Sequence, residues 1–215
     1  MKIFLSVGAT FNENQEAFVS AFETFLGQNG CERLTVGRGS YYAQQPIVSA
    51  RDLMLSANGV VVIAFTRHIV EKGLENPGSS KEQEIINRKY PTVWNQLEAA
   101  MAFGLRCPLL VITEKGLHQE AMLKDRLEYR ALSTELDPKF FSSEEFKGIF
   151  LDWKRLTESQ VQERTTTEVS ALERLTVGAI IKELRPDQLW KVGSSLLGLG
   201  AAIAAAAFWV GKTIG

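Results

Sequence analysis

Apolar and polar positions along most of the chain alternate between two periods. Residues Lys2–Val7 (KIFLSV) alternate loosely and stop at Gly8, which predicts a first strand. Phe18, Ala21, Phe22 and Phe25 recur at three- and four-residue spacing, the core stripe of a helix ending near Gly27 or Gly30. Residues 32–36 predict a second short strand. Gly37-Arg38-Gly39-Ser40 forms a flexible loop before Tyr41 and Tyr42. A helix is expected after Pro46, with Ile47, Ala50, Met54 and Ala57 inward and Asn58-Gly59 as its stop. Residues 60–65 form a near-continuous apolar run, as a parallel strand covered on both faces requires.

Residues 68–89 break this rhythm. They are polar, with Pro77-Gly78-Ser79-Ser80 at their centre. The expectation is a long loop acting as a lid, with a short helix at residues 81–87. Then comes the stretch around which the chain is organised, YPTVWNQLEAAMAFGLRCPLLVI. It predicts a helix with Val93, Leu97, Ala100 and Met101 on one face, a stop at Gly104 and a fourth strand at residues 108–113. A further helix near residues 120–127, a strand near 130–132 and an aromatic helix at 140–153 complete the pattern. Phe140, Phe141, Phe146, Phe150 and Trp153 would pack that last helix on the sheet.

Strands alternating with helices predict an α/β fold with a doubly wound, mostly parallel sheet. In such sheets ligands bind beyond the carboxyl ends of the strands. That rule gathers residues 6–11, 37–42 and 66–68 and the start of the central helix around one crevice. Ser6, Gly8, Thr10 and Phe11 are its expected rim.

The composition changes after about Thr157. Residues 157–184 carry Val169, Leu172, Thr176 and Ala179 at helical spacing, with Leu175, Ile180 and Leu184 widening the stripe. Such a helix packs on its own domain or self-associates as a stalk. Residues 192–210 hold no charge and, at helical rise, would span roughly 29 Å, about the thickness of a bilayer core. Trp190 and Trp209 bracket the run. Lys182, Arg185 and Lys191 precede it and only Lys212 follows. The reading is a single-pass membrane anchor with the N-terminal domain cytoplasmic. Ser194, Gly198, Ala202 and Ala206 recur every fourth residue, a small-residue face suited to homo-oligomer packing. The expected organisation is a ligand domain at 1–156, a linker helix at 157–186 and a membrane segment at 187–215.

The net charge of −1 gives no basic footprint for nucleic acid. Cys31 and Cys107 flank apolar runs and read as buried thiols. Two histidines, His68 and His118, without a Cys/His cluster, predict no metal site.

The remaining chemistry centres on Glu98. It follows Trp94 by one helical turn, among small and apolar neighbours, where the fold rule places the ligand. A carboxylate there can stabilise or trap an oxocarbenium ion as an N-glycosidic bond breaks, or simply hydrogen-bond a ribose. Phe11, Tyr41, Tyr42 and Trp94 are candidates to stack a base, and Arg38 to meet a phosphate.

The spacing Trp94-Asn95-Gln96-Leu97-Glu98 resembles the helix of TIR domains that carries their NAD-hydrolysing glutamate. Ile3-Phe4-Leu5-Ser6 resembles their first strand and ligand-facing serine. The segment Leu97-Glu98-Ala99-Ala100-Met101-Ala102-Phe103-Gly104, followed by Cys107-Pro108, is similar to nucleoside 2-deoxyribosyltransferases, whose glutamate attacks the sugar. Ala50-Arg51-Asp52-Leu53 and Ser56-Ala57-Asn58-Gly59-Val60-Val61 resemble the preceding helix and strand of both families. Asn58-Gly59 stands where the transferases commonly carry an acidic residue. The resemblance implies a flavodoxin/TIR-like fold and catalysis by Glu98, with Asp52 as a supporting carboxylate. It implies no resident cofactor, with NAD or another nucleotide as ligand or substrate. Joined to a membrane segment, it implies an effector of bacterial antiphage defence that senses a nucleotide-derived signal and perturbs the membrane. The alternative it implies is a membrane-tethered NAD glycohydrolase or deoxyribosyltransferase.

Overall fold

Five strands form one parallel sheet in the order β2-β1-β3-β6-β7: β1 (Lys2–Val7), β2 (Glu32–Leu34), β3 (Gly59–Ala64), β6 (Leu109–Glu114) and β7 (Arg130–Thr134). The remaining two, β4 (His68–Glu75) and β5 (Gln83–Tyr90), pair only with each other as an antiparallel hairpin. The computed structural model describes residues 1–39 and 42–174, with side chains described as far as residue 160. Residues Met1–Gln162 make one compact unit. Tyr41 and the expected membrane span at 192–210 lie outside the described residues. Among the described residues no helix is long and apolar enough to cross a membrane.

The central strands are apolar throughout because both faces are covered. Successive side chains point to opposite sides. Ile3, Leu5, Val61, Ile63, Leu110 and Ile112 meet α1 (Glu13–Gln28) and α4 (Glu144–Arg174) on one face. Phe4, Val60, Val62, Leu109 and Val111 meet α2 (Pro46–Ser56) and α3 (Val93–Gly104) on the other. The sheet is therefore doubly wound, as its sequence pattern predicts.

On the first face, Phe18 and Phe22 of α1 interlock with Phe146 and Phe150 of α4 and with Phe141. Phe141 belongs to a 3-10 turn at Pro138–Ser142. Phe146, Phe150, Trp153 and Thr157 recur at helical spacing, and all are buried. The expected aromatic helix therefore forms only from Glu144, with Phe140 and Phe141 in the 3-10 turn before it, and it continues without a break past Thr157 to Arg174.

This packing depends on Gly59. A Cβ there would stand 2.6 Å from Thr157 Cγ2 and 2.8 Å from Trp153 Cζ2. Gly59→Ala is expected to push α4 off the amino end of β3 and cost about 1–3 kcal/mol, the usual penalty of overpacking. Urea denaturation measures it; an unchanged midpoint would mean that α4 shifts freely.

Three expectations fail. Residues 81–87 are not helical; they belong to β5 and the turn leading into it. Asn76 at φ 52° and Gly78 at φ 75° reverse the chain, and Leu74 pairs with Glu84 and Lys72 with Ile86. The expected irregular lid is this hairpin. A helix at 120–127 also fails, because only a 3-10 turn at Ala121–Leu123 forms. Gln96 of α3 reaches across instead: its Nε2 donates to the Glu120 carbonyl and its Oε1 accepts from Met122 N–H.

Third, α3 presents a different face. Val93 and Leu97 are 71% and 46% exposed, and Asn95 is the buried polar anchor. The sheet-facing residues are Asn95, Ala99 and Ala102, with Glu98 between them in the i, i+3, i+4, i+7 pattern.

Candidate functional site

Chain direction decides where a ligand can enter. From β1 the chain turns to α1 on one face, and from β3 it goes through the hairpin to α3 on the other. The two strands are neighbours, so their carboxyl ends diverge into the crevice characteristic of a topological switch point. A cavity of about 350 Å³ occupies it, within the range of small-molecule sites. Val7, Gly8, Ala9 and Phe11 approach from β1, and Phe65 and Arg67 from β3. Val36, Gly37 and Pro46 close the α2 side, and Thr92, Trp94 and Glu98 the α3 side.

Glu98 is placed by its helix. Thr92 caps α3, its side chain accepting from Trp94 N–H. Asn95 pins the first turn to the sheet by donating to the Ile63 carbonyl at 3.2 Å and the Ser6 hydroxyl at 3.4 Å. One turn later the Glu98 carboxyl is drawn against the end of β1. Burial lifts its pKa to about 7, opposed by a hydrogen bond with the Ser6 hydroxyl. Desolvation disfavours the ionised form, so this group changes charge near neutrality. A carboxyl so perturbed in a cleft marks a candidate functional group.

The rim is aromatic and cationic. The Arg67 guanidinium lies 3.9 Å from the Phe11 ring centroid, in cation–π contact. Its backbone N–H donates to the Tyr90 carbonyl at 2.8 Å, which closes the base of the hairpin. Trp94 offers a half-exposed indole beside Glu98. At Gly8 a Cβ would come within 3.2 Å of Thr92 Cγ2, so glycine lets the end of β1 approach the start of α3.

Of the residues singled out from sequence, Gly8, Phe11, Trp94 and Glu98 line this cavity together. Ser6 sits beneath it, buried, and orients Asn95 and Glu98. Thr10 donates to Glu16 instead. Arg38, at φ 40°, turns towards α1, where its guanidinium donates to Glu16 at 2.9 and 3.0 Å and to Glu23 at 3.0 Å. The Arg38 bonds, with help from Thr10, hold the Glu16 pKa down at about 2. Tyr42 directs its hydroxyl to the Thr35 carbonyl at 3.5 Å. Asp52 is exposed on α2 and paired with Arg51 at 2.7 Å, away from the cavity walls. Arg67 and Thr92 lie in the segments expected at the crevice, 66–68 and the start of the central helix, but neither was named as a ligand contact, and Pro46 was expected only as a helix start. The available signal was the one cation directly beyond a fully apolar strand.

A larger cavity, about 630 Å³, lies between α1 and the ends of β6 and β7. Its central carboxylate, Glu114, accepts from Thr66 N–H at 2.7 Å and pairs with Lys89 at 3.2 Å. Burial pushes that carboxyl up, but these partners outweigh it and hold it low. Glu114 is thus satisfied structurally, whereas the single opposing hydrogen bond of Glu98, with Ser6, leaves burial dominant. Among the described residues no group of three His, Cys, Asp or Glu side chains could hold a metal ion. No family model matches the chain, and no curated protein matches it.

Proposed function

We propose that the chain is a membrane-anchored defence effector with a flavodoxin/TIR-like domain that senses a nucleotide-derived signal. The observation that carries this reading is the switch-point cavity, where one desolvated carboxyl, Glu98, faces aromatic rings and a guanidinium. The ionised carboxylate accepts hydrogen bonds from ribose hydroxyls. Trp94 or Phe11 stacks the base, and Arg67 meets the phosphate. The C-terminal segment at 187–215 supplies the anchor and, through its small-residue face, the oligomer that perturbs the membrane.

The test uses the full chain in detergent. NAD and ADP-ribose are expected to raise the thermal midpoint without being consumed; a ligand at a hundred times its Kd adds about 2.7 kcal/mol. Arg67→Ala is expected to weaken ADP-ribose by roughly tenfold and leave an uncharged nucleoside unaffected, since it removes one charge-assisted hydrogen bond. No midpoint shift with any nucleotide or nucleoside would sink the reading.

The second reading is a membrane-tethered N-glycosidase, an NAD glycohydrolase or nucleoside deoxyribosyltransferase. It is favoured by the same desolvation, because a carboxylate in a dry site stabilises a nearby oxocarbenium ion more strongly than one in water. Release of nicotinamide or free base that stops in Glu98→Gln would select it over the sensor.

A further inference from the structure

The outer face of α3 is apolar and exposed. Val93, Leu97, Ala100 and Gly104 recur at helical spacing along it, and all four are exposed. That spacing is the seam of a helix packed against another helix. Phe103 beside the seam and Leu55 on neighbouring α2 are exposed too. Glu98 is the only charged residue of α3 and it lines the cavity, so the outer face carries no charge in a chain that is 23% charged. An apolar patch of this kind marks an interaction surface. We propose that it is the contact between two copies of this chain, packed α3 against α3 about a twofold axis.

The seam is complementary to itself. Two helices that pack side by side about a twofold axis perpendicular to both run antiparallel, and the same patch meets itself. With the axis at the middle of α3, between Glu98 and Ala99, Leu97 stands against Ala100 of the second copy and Val93 against Gly104 of the second copy. Each large side chain meets a small position, which permits the close end of the usual interhelical range, about 8 Å. The amino end of each helix lies beside the carboxyl end of the other, so the helix dipoles attract.

The charges alongside agree with this axis. α2 and α3 lead into the adjacent parallel strands β3 and β6 on one face of the sheet, so they run the same way. Both begin at the crevice, with Pro46 and Thr92 on its wall. The axis through the middle of α3 therefore crosses α2 at the step from Arg51 to Asp52. These two side chains are exposed next to each other, and the axis sets each Arg51 opposite Asp52 of the second copy. An unrelated partner would need a matching ladder of its own, whereas a second copy has one by symmetry. The contact is separate from the small-residue face expected at residues 192–210, and it does not depend on what the Glu98 cavity binds.

The test is disulfide trapping of the full chain in detergent. The native thiols, Cys31 and Cys107, are buried and set the background. Chains carrying Leu97→Cys, co-expressed with chains carrying Ala100→Cys and then oxidised, are expected to give roughly tenfold more linked dimer than chains carrying Lys147→Cys, because only facing positions come within disulfide reach. Lys147 is half-exposed on α4, on the other face of the sheet. Adding Arg51→Asp to both cysteine chains is expected to cut the trapped dimer roughly tenfold, since the axis repeats each repelling pair. Adding Asp52→Arg as well should restore it. Equal trapping at 97/100 and at 147 would overturn the proposal and leave the face to an unrelated partner. So would a charge swap at 51 and 52 that fails to restore the dimer.

Discussion

Glu98→Gln is expected to stabilise the protein at pH 8 by about 2–3 kcal/mol while removing nucleotide binding. The stability effect follows from the pKa of about 7 for a carboxyl whose ordinary value is 4.5. Between these values the unfolded chain has lost the proton and the folded chain keeps it. The folded state binds more protons, so stability falls as pH rises. The contribution of Glu98 is fully present below pH 4.5, is lost progressively towards pH 7 and is absent above it. Glutamine, always neutral, escapes that loss. Native and variant denaturation midpoints should coincide near pH 4 and separate above pH 5. Parallel curves would show that water reaches the carboxyl freely.

Binding runs the other way. A carboxylate that accepts ribose hydroxyls acts only when ionised, so affinity for ADP-ribose is expected to rise through pH 7 and level off. Glu98→Gln should cost roughly ten- to a hundredfold at pH 8, the worth of a charged hydrogen bond. A residue that costs stability and supports binding is the signature expected of a functional group rather than a packing one.

What could be read in advance was whatever burial writes into the sequence. The strands β1, β3 and β6 were legible because both faces are covered, and so was the aromatic seam of α4. The hairpin was not. Ile69, Leu74 and Ile86 are exposed, Ile85 is the one large apolar side chain buried on it, and no clean alternation marks it. The face of α3 was misread because its deepest anchor is Asn95, a polar residue satisfied by Ile63 and Ser6, which are distant in sequence. Helical spacing sees only apolar stripes. Within the site, Glu98 and Trp94 were legible from their spacing on one helix. Arg38 looked free because Glu16 and Glu23 precede it by more than a helical turn; only the fold makes them its partners. Arg67 had no periodicity to mark it.

Phe146→Ala is expected to cost about 3–5 kcal/mol, the largest loss of any single truncation considered, and to leave the Glu98 cavity working. Phe146 is fully buried, and its ring lies within 6.3 Å of those of Phe22, Phe25, Phe140, Phe141 and Phe150. Removing it leaves a void that five rigid rings cannot collapse to fill. A domain of ordinary stability has about 5–15 kcal/mol in total, so the variant should sit near its unfolding threshold at 37 °C. Phe146→Leu, which keeps most of the volume, should cost clearly less. The cluster covers the α1 and α4 face, whereas Glu98 comes from α3 on the other face. At 10 °C, affinity for ADP-ribose should therefore match the native value. Adding Glu98→Gln should shift stability by the sum of the two single effects to within about 0.5 kcal/mol, as independent sites do. A strongly non-additive pair, or lost binding in folded Phe146→Ala, would mean that the two faces of the sheet are coupled and that α4 reads the state of the cavity through the strands between them.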